Sequence, residues 1–136
     1  MSSLDTNVLV RWLVKDDPRQ LIQARHLIRS AVERGELVFV PVTVVLELEW
    51  VLRSRYEMSK PVIIQALVSL LETRELAFQC EAAVERAIEH FRRRSADFAD
   101  CLHLGLSGAE GELPLMTFDR KASRLDGANL VLAPDF

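Results

Sequence analysis

The sequence predicts an α/β fold with a mostly parallel sheet. Short apolar runs, bounded by proline, glycine or polar turns, alternate with longer segments whose apolar residues recur at helical spacing. Strands separated by helices in this way pair in parallel. In addition, Leu37-Val38-Phe39-Val40 is apolar at every position, as a strand buried on both faces requires.

Ser3 to Val10 reads as a short buried strand running into a helix that Thr6 or Asn7 caps. Asp16-Asp17-Pro18 breaks that helix and starts the next, with proline in the first turn. Residues 19–34 carry Leu21, Ala24, Ile28 and Ala31 on one face, and Gly35 stops them. Pro41 ends the strand at 37–40. Thr43 then caps a helix to about Tyr56, with Val44, Leu48, Val51 and Leu52 on one stripe, and Ser59 caps another, with Ile63, Ala66, Leu67, Leu70 and Leu71 inward. Leu76-Ala77-Phe78 is a short strand. Helices follow from about Glu81 to Arg94, burying Val84, Ala87, Ile88 and Phe91, and from about Ala96 to Ala109. Leu115-Met116 and Leu130-Val131-Leu132 close the chain as strands.

The 136 residues suffice for one domain, residues 1–136, with a real core. Hydrophobic residues make up 49% and charged residues 27%, as in ordinary globular proteins. No apolar run reaches the ~18 residues of a membrane span, and no signal segment opens the chain, so a cytoplasmic protein is expected. Cys80 and Cys101 lack metal or redox spacing, and each reads as a buried thiol outside any disulfide. The net charge of −3 argues mildly against a general nucleic-acid binder, an objection that bound cations would weaken. Arginine clusters at Arg92-Arg93-Arg94, at Arg53 with Arg55, and at Arg120-Lys121 with Arg124. Any of these could hold phosphates, and for each alone a solvated helix end explains it at least as well.

Four acids stand out because apolar sequence surrounds them: Asp5, Glu47, Asp100 and Asp119. Burying one charge costs several kcal/mol, as an estimate of about that size, unless it is paired or binds a metal. Oxygen ligands that converge suit Mg²⁺ or Mn²⁺. Asp5 and Asp119 follow strands, at the sheet edge where α/β proteins bind ligands. Each is also an ordinary helix cap by position. Glu47 lies on the apolar stripe of its helix and Glu49 about 200° away. Asp97 and Asp100 share a helical face, where like charges repel unless a cation intervenes. Asp97 doubles as a first-turn acid favoured by the helix dipole. Thr117 is placed to hydrogen-bond a ligand carboxylate. Asp16, Asp17, Asp126 and Asp135 sit in polar turns and need no such account. His26, His90 and His103 lie on helices, and none is an obvious general base.

At these residues the chain resembles the PIN-domain ribonucleases, specifically the VapC-like toxins of prokaryotic toxin–antitoxin pairs. The resemblance runs over essentially the whole chain. It rests on the ordered set Leu4-Asp5-Thr6-Asn7-Val8-Leu9-Val10-Arg11, Asp16-Asp17-Pro18 with Gln20, Glu47-Leu48-Glu49-Trp50-Val51-Leu52, Asp97-Phe98-Ala99-Asp100 and Thr117-Phe118-Asp119-Arg120. It implies a parallel sheet of four to five strands flanked by helices. It also implies RNA cleavage with one or two Mg²⁺ or Mn²⁺ ions, leaving 5′-phosphate and 3′-hydroxyl ends. Asp5, Glu47, Asp100 and Asp119 match the family's acidic quartet. Asp97 matches a further acid, and Thr6, Asn7 and Thr117 match polar positions that support the site. An antitoxin partner and a homodimer are implied as well.

Other enzyme classes fit poorly. A haloacid-dehalogenase phosphatase wants a second aspartate where Asn7 stands, and Asp5-Thr6-Asn7 lacks the glycines of a dinucleotide-binding turn. Leu106-Ser107-Gly108 does not form a nucleophile elbow. The alternative from a different class is a catalytically silent PIN-like binding module, whose acidic pocket holds a structural cation or a basic partner. Trp12, Trp50 and Tyr56 are a candidate partner surface, although Trp50 reads as core.

Overall fold

In the computed structural model, which describes residues 1–132 and 134, Cα packing divides the chain into two compact units, Met1–Glu81 and Ala82–Phe136. Asp135 lies outside the described residues.

The first unit is built on a parallel pair, β1 (Val38–Val40) and β2 (Leu76–Phe78), in register Val38 with Leu76 and Val40 with Phe78. The N-terminal segment joins β1 on its other side through one parallel bridge, Ser3 to Phe39. The Leu4 amide donates to the Phe39 carbonyl (2.9 Å), and the Phe39 amide donates to that of Ser2 (2.7 Å). This segment stays short because Asp5 turns it at once into α1 (Thr6–Val14).

Helix α2 (Pro18–Glu33) starts as expected: Pro18 takes the first turn and Asp17 accepts from the Gln20 amide. Gly35, at φ 73°, ends it. The amides of Gly35 and Glu36 reach back to the carbonyls of Val32 and Ala31, both at 2.9 Å, closing the carbonyls a helix end leaves open.

Helix α3 (Val42–Ser54) begins one residue before Thr43, which is exposed and does not cap it. The cap comes from outside the helix: Gln79 Oε1, just past β2, accepts from the Val42 amide at 2.9 Å. Helix α4 (Lys60–Leu71) follows Ser59, whose side chain makes no capping bond. Helix α1 packs on α2 and α3, and α3 on α4. Leu9, Val38, Val40, Leu48, Leu52 and Ile63 are nearly inaccessible to solvent. Each buried side chain of this kind contributes about 1.5–3 kcal/mol relative to exposure, as an upper estimate.

The second unit contains most of α5 (Glu81–Arg93), then α6 (Phe98–Ala109), β3 (Leu115–Thr117), a 3-10 turn (Ala122–Arg124) and β4 (Ala128–Leu130). Strands β3 and β4 pair in parallel, Leu115 with Ala128 and Thr117 with Leu130. Phe91 of α5 and Phe98 of α6 meet edge to face with ring centres 5.4 Å apart. Gly105 of α6 lies so close to α5 that a Cβ there would be 2.6 Å from the Ala83 carbonyl oxygen. The two helices touch backbone to backbone because glycine stands at that point.

The α/β class and the parallel pairing hold. Among the described residues the strands form two pairs of three residues each, plus the Ser3 bridge, rather than one sheet of four to five. No helix among these residues is long and apolar enough to cross a membrane. Cys101 is buried as expected, whereas Cys80, at φ 51°, is exposed in the turn after β2.

Candidate active site

Asp5 follows the segment paired with β1, and α3 follows β1 itself, so Asp5 and α3 both leave the C-terminal edge of the first unit's strands. Asp5 is exposed and is the N-cap of α1: its Oδ1 accepts from the Thr6 amide at 2.7 Å. Neither Thr6 nor Asn7 plays the capping part expected of them. Asn7 is exposed. Thr6 is 2% exposed, and its Oγ1 is a buried polar atom with no hydrogen-bond partner among the described residues.

Glu47 is exposed, and Glu49 is the buried acid of α3 at 3% exposure. This reverses the expected stripe. Helix α3 is apolar nearly all round, so periodicity alone leaves its buried arc loosely fixed. At about 100° per residue the buried arc runs from Val51 through Val44, Leu48, Leu52 and Val45 to Glu49. Glu47 falls just outside one flank and Glu49 just inside the other. Arg53, one turn on, compensates Glu49 through Nε to Oε2 at 2.9 Å. The i,i+4 spacing of Glu49 and Arg53 is the sequence signal that reveals this pair. Trp50, on the outer face with Glu47, is 51% exposed and not core.

In the second unit Asp97 is the N-cap residue of α6, exposed, with no side-chain capping bond. Asp100, in the first turn, is half-buried. Burial, then the negative charges of Asp119 and Asp97, raise the pKa of its carboxyl above the ordinary value. The exposed His103 opposes the shift. Asp119 is exposed just after β3, and its Oδ1 accepts from the Ala122 amide at 2.8 Å, holding the 3-10 turn. Thr117 Oγ1 accepts from the Asp119 amide at 3.0 Å, so the threonine fixes the backbone of Asp119. The charges of Asp119 and Asp97 therefore both act on Asp100.

Among the described residues, no three His, Cys, Asp or Glu side chains stand together as a ready metal cage. The donor chemistry still suits a hard divalent cation. The ligands on offer are carboxylates, open or half-open to solvent. In the second unit, Asp100 carries repulsion from Asp119 and Asp97 that a cation would relieve. In the first, the Thr6 hydroxyl, next to Asp5 in the chain, is buried without a partner among the described residues.

Of the arginine clusters, Arg92 and Arg93 are engaged with Glu89, and Arg53 with Glu49. Arg120, Lys121 and Arg124 are exposed around the turn that follows Asp119.

A VapC ribonuclease of Aquifex aeolicus (strain VF5) is 24% identical over 125 residues, which span 92% of either chain. The PIN domain family model matches residues 3–128, a span that includes Asp5, Glu47, Asp97, Asp100 and Asp119. With a match over nearly its whole length, the chain belongs to the PIN domain family.

Proposed function

We propose that the protein is a metal-dependent endoribonuclease, the toxin of a toxin–antitoxin pair, which hydrolyses RNA phosphodiesters. The observation that carries the reading is Asp100. It is a half-buried carboxylate crowded by Asp119 and Asp97, in a chain of the PIN family. Such crowding is characteristic of functional acids. The similarity to a VapC ribonuclease supports the choice of RNA.

In this reading Asp5, Asp100 and Asp119 are the main ligands of one or two Mg²⁺ or Mn²⁺ ions, with Asp97 contributing and Glu47 acting directly or through water. A divalent ion held there would lower the pKa of water and offset negative charge at the phosphate. The protein's own part is orientation. Asp5 and Asp119 each tie one carboxylate oxygen to a backbone amide, which fixes the orientation of the carboxylate. Thr117 steadies Asp119, and Thr6 and Asn7 flank Asp5. The exposed Arg120, Lys121 and Arg124 neutralise neighbouring phosphates. In-line attack leaves 5′-phosphate and 3′-hydroxyl ends. The same reading carries a cognate antitoxin, a homodimer and a cytoplasmic setting.

The test is cleavage of total cellular RNA by purified, antitoxin-free protein with Mg²⁺, with Mn²⁺ and with chelator, beside Asp100→Asn. Discrete cuts that need both metal and Asp100 are expected. Folded protein that leaves RNA intact under every condition would return the chain to the binding-module reading.

A further inference from the structure

Two residues beyond Asp5, a cleft of about 260 Å³ opens between α1 and α2. Its polar wall consists of Asn7, Gln20, Gln23 and Arg11, and its apolar wall includes Val8 and Leu27. No acidic side chain lines it, in a protein of net charge −3. The side-chain amides of Asn7 and Gln23 have no hydrogen-bond partner among the described residues. Each therefore presents one acceptor and two donors. Gln20 is held differently: its Oε1 accepts from Arg11 Nε, which leaves its amide nitrogen as a donor.

Arg11 itself is locked. Its Nη1 donates to Asp16 Oδ1 at 3.1 Å and to the Tyr56 hydroxyl at 3.0 Å, and that hydroxyl donates to Asp16 Oδ2 at 3.1 Å. The cleft thus combines a guanidinium fixed by its ion pair with Asp16, paired amide donors and acceptors, and an apolar wall. The amides and the apolar wall match a nucleobase: amides read a base edge, and an apolar surface covers its face.

We infer that the α1–α2 cleft receives one base of a single-stranded RNA beside the scissile phosphate, with Gln23, Gln20 and Asn7 reading its edge. The inference rests on the proposed ribonuclease activity for the position of that base, and on the cleft's own chemistry for the ligand class.

The test separates the two. Fluorescently labelled decamers of A, C, G and U are titrated in chelator, where cutting does not occur, against the wild-type chain, Gln23→Ala and Gln20→Ala. Thermal melting checks that both variants are folded. Cut sites are mapped separately with metal present. The wild type is expected to favour one base. Each variant is expected to reduce that preference by about fivefold or more, as loss of an amide–base contact implies, while affinity for the other three decamers changes little. The same position next to the cut should lose its base preference in the mapped sites. Equal affinity for all four decamers in the wild type overturns the inference. So does an unchanged preference in both variants, which would give the cleft to a protein segment instead. Base-selective binding that depends on Gln23, without any metal-dependent cutting, would sink the nuclease reading and leave the base site standing.

Discussion

Substituting alanine for each of two glycines on α6 should move stability in opposite directions. In an exposed helix interior, Gly→Ala gains about 0.5–1 kcal/mol from backbone entropy alone. At Gly108 the new Cβ meets only Leu113 Cδ1, at 3.7 Å, an ordinary contact with a side chain able to adjust. Being near the helix end, it should realise roughly half the gain, a rise in Tm of about 2 °C for a chain of this size. At Gly105 the Cβ falls 2.6 Å from the Ala83 carbonyl oxygen, about 0.8 Å short of ordinary contact. A backbone atom cannot rotate away, so α5 and α6 must separate. Overpacking of this kind costs about 1–3 kcal/mol and outweighs the entropy gain. The net loss should be about 1–2 kcal/mol, a fall in Tm of about 4–8 °C. Helix α6 also carries Asp100, and displacement of a reacting group by about 1 Å can cost up to ~100-fold in rate. Thermal melting, followed by RNA cleavage below the transition, reads both effects. A Gly105→Ala protein that melts at or above the wild-type temperature would refute the backbone contact between α5 and α6.

Asp100→Asn should stabilise the metal-free protein near neutral pH. The folded-state pKa of Asp100 is raised, so its penalty is full above that pKa and is relieved as pH falls through it. The advantage of asparagine should therefore shrink on acidification and vanish below the unfolded-state value, as melts across pH will read. Mg²⁺ should raise the melting temperature of the wild type more than that of this variant. Arg53→Met leaves Glu49 buried without its partner and should cost about 1–3 kcal/mol in urea unfolding. The double variant with Glu49→Leu should recover most of that loss. Gly35→Ala places a Cβ at φ 73° and should cost about 1–2 kcal/mol by the same measurement.

Much of the fold was legible because its signals are local. Pro18 with Asp17, Gly35 and the unbroken apolar run at Leu37–Val40 each mark an element by its own chemistry. The start of α3 was not legible, since its cap comes from Gln79, far along the chain. The orientation of α3 was hidden for a different reason. A helix apolar on nearly every side has no single stripe, so periodicity puts Glu47, Glu49 and Trp50 on the wrong sides of the surface. Of the candidate site, the strand-end position of Asp5 and Asp119 was readable, as was the nearness of Asp97 to Asp100, although Asp97 stands in extended backbone at the N-cap and not on the helix itself. The influence of Asp119 on Asp100 was not, because it depends on how β3 returns beside α6.

The amide contacts made by Asp5 and Asp119 give these acids a second duty. Each holds the start of a helical turn with one oxygen while the residue stays exposed, so the same side chain supports local structure and carries charge. Asparagine can still accept the amide bond but carries no charge; alanine can do neither, and loss of a cap costs about 1 kcal/mol. Asn variants therefore isolate the chemistry, whereas Ala variants mix it with unfolding. Comparing the two at Asp5 and at Asp119 separates an acid that builds the protein from one that works for it.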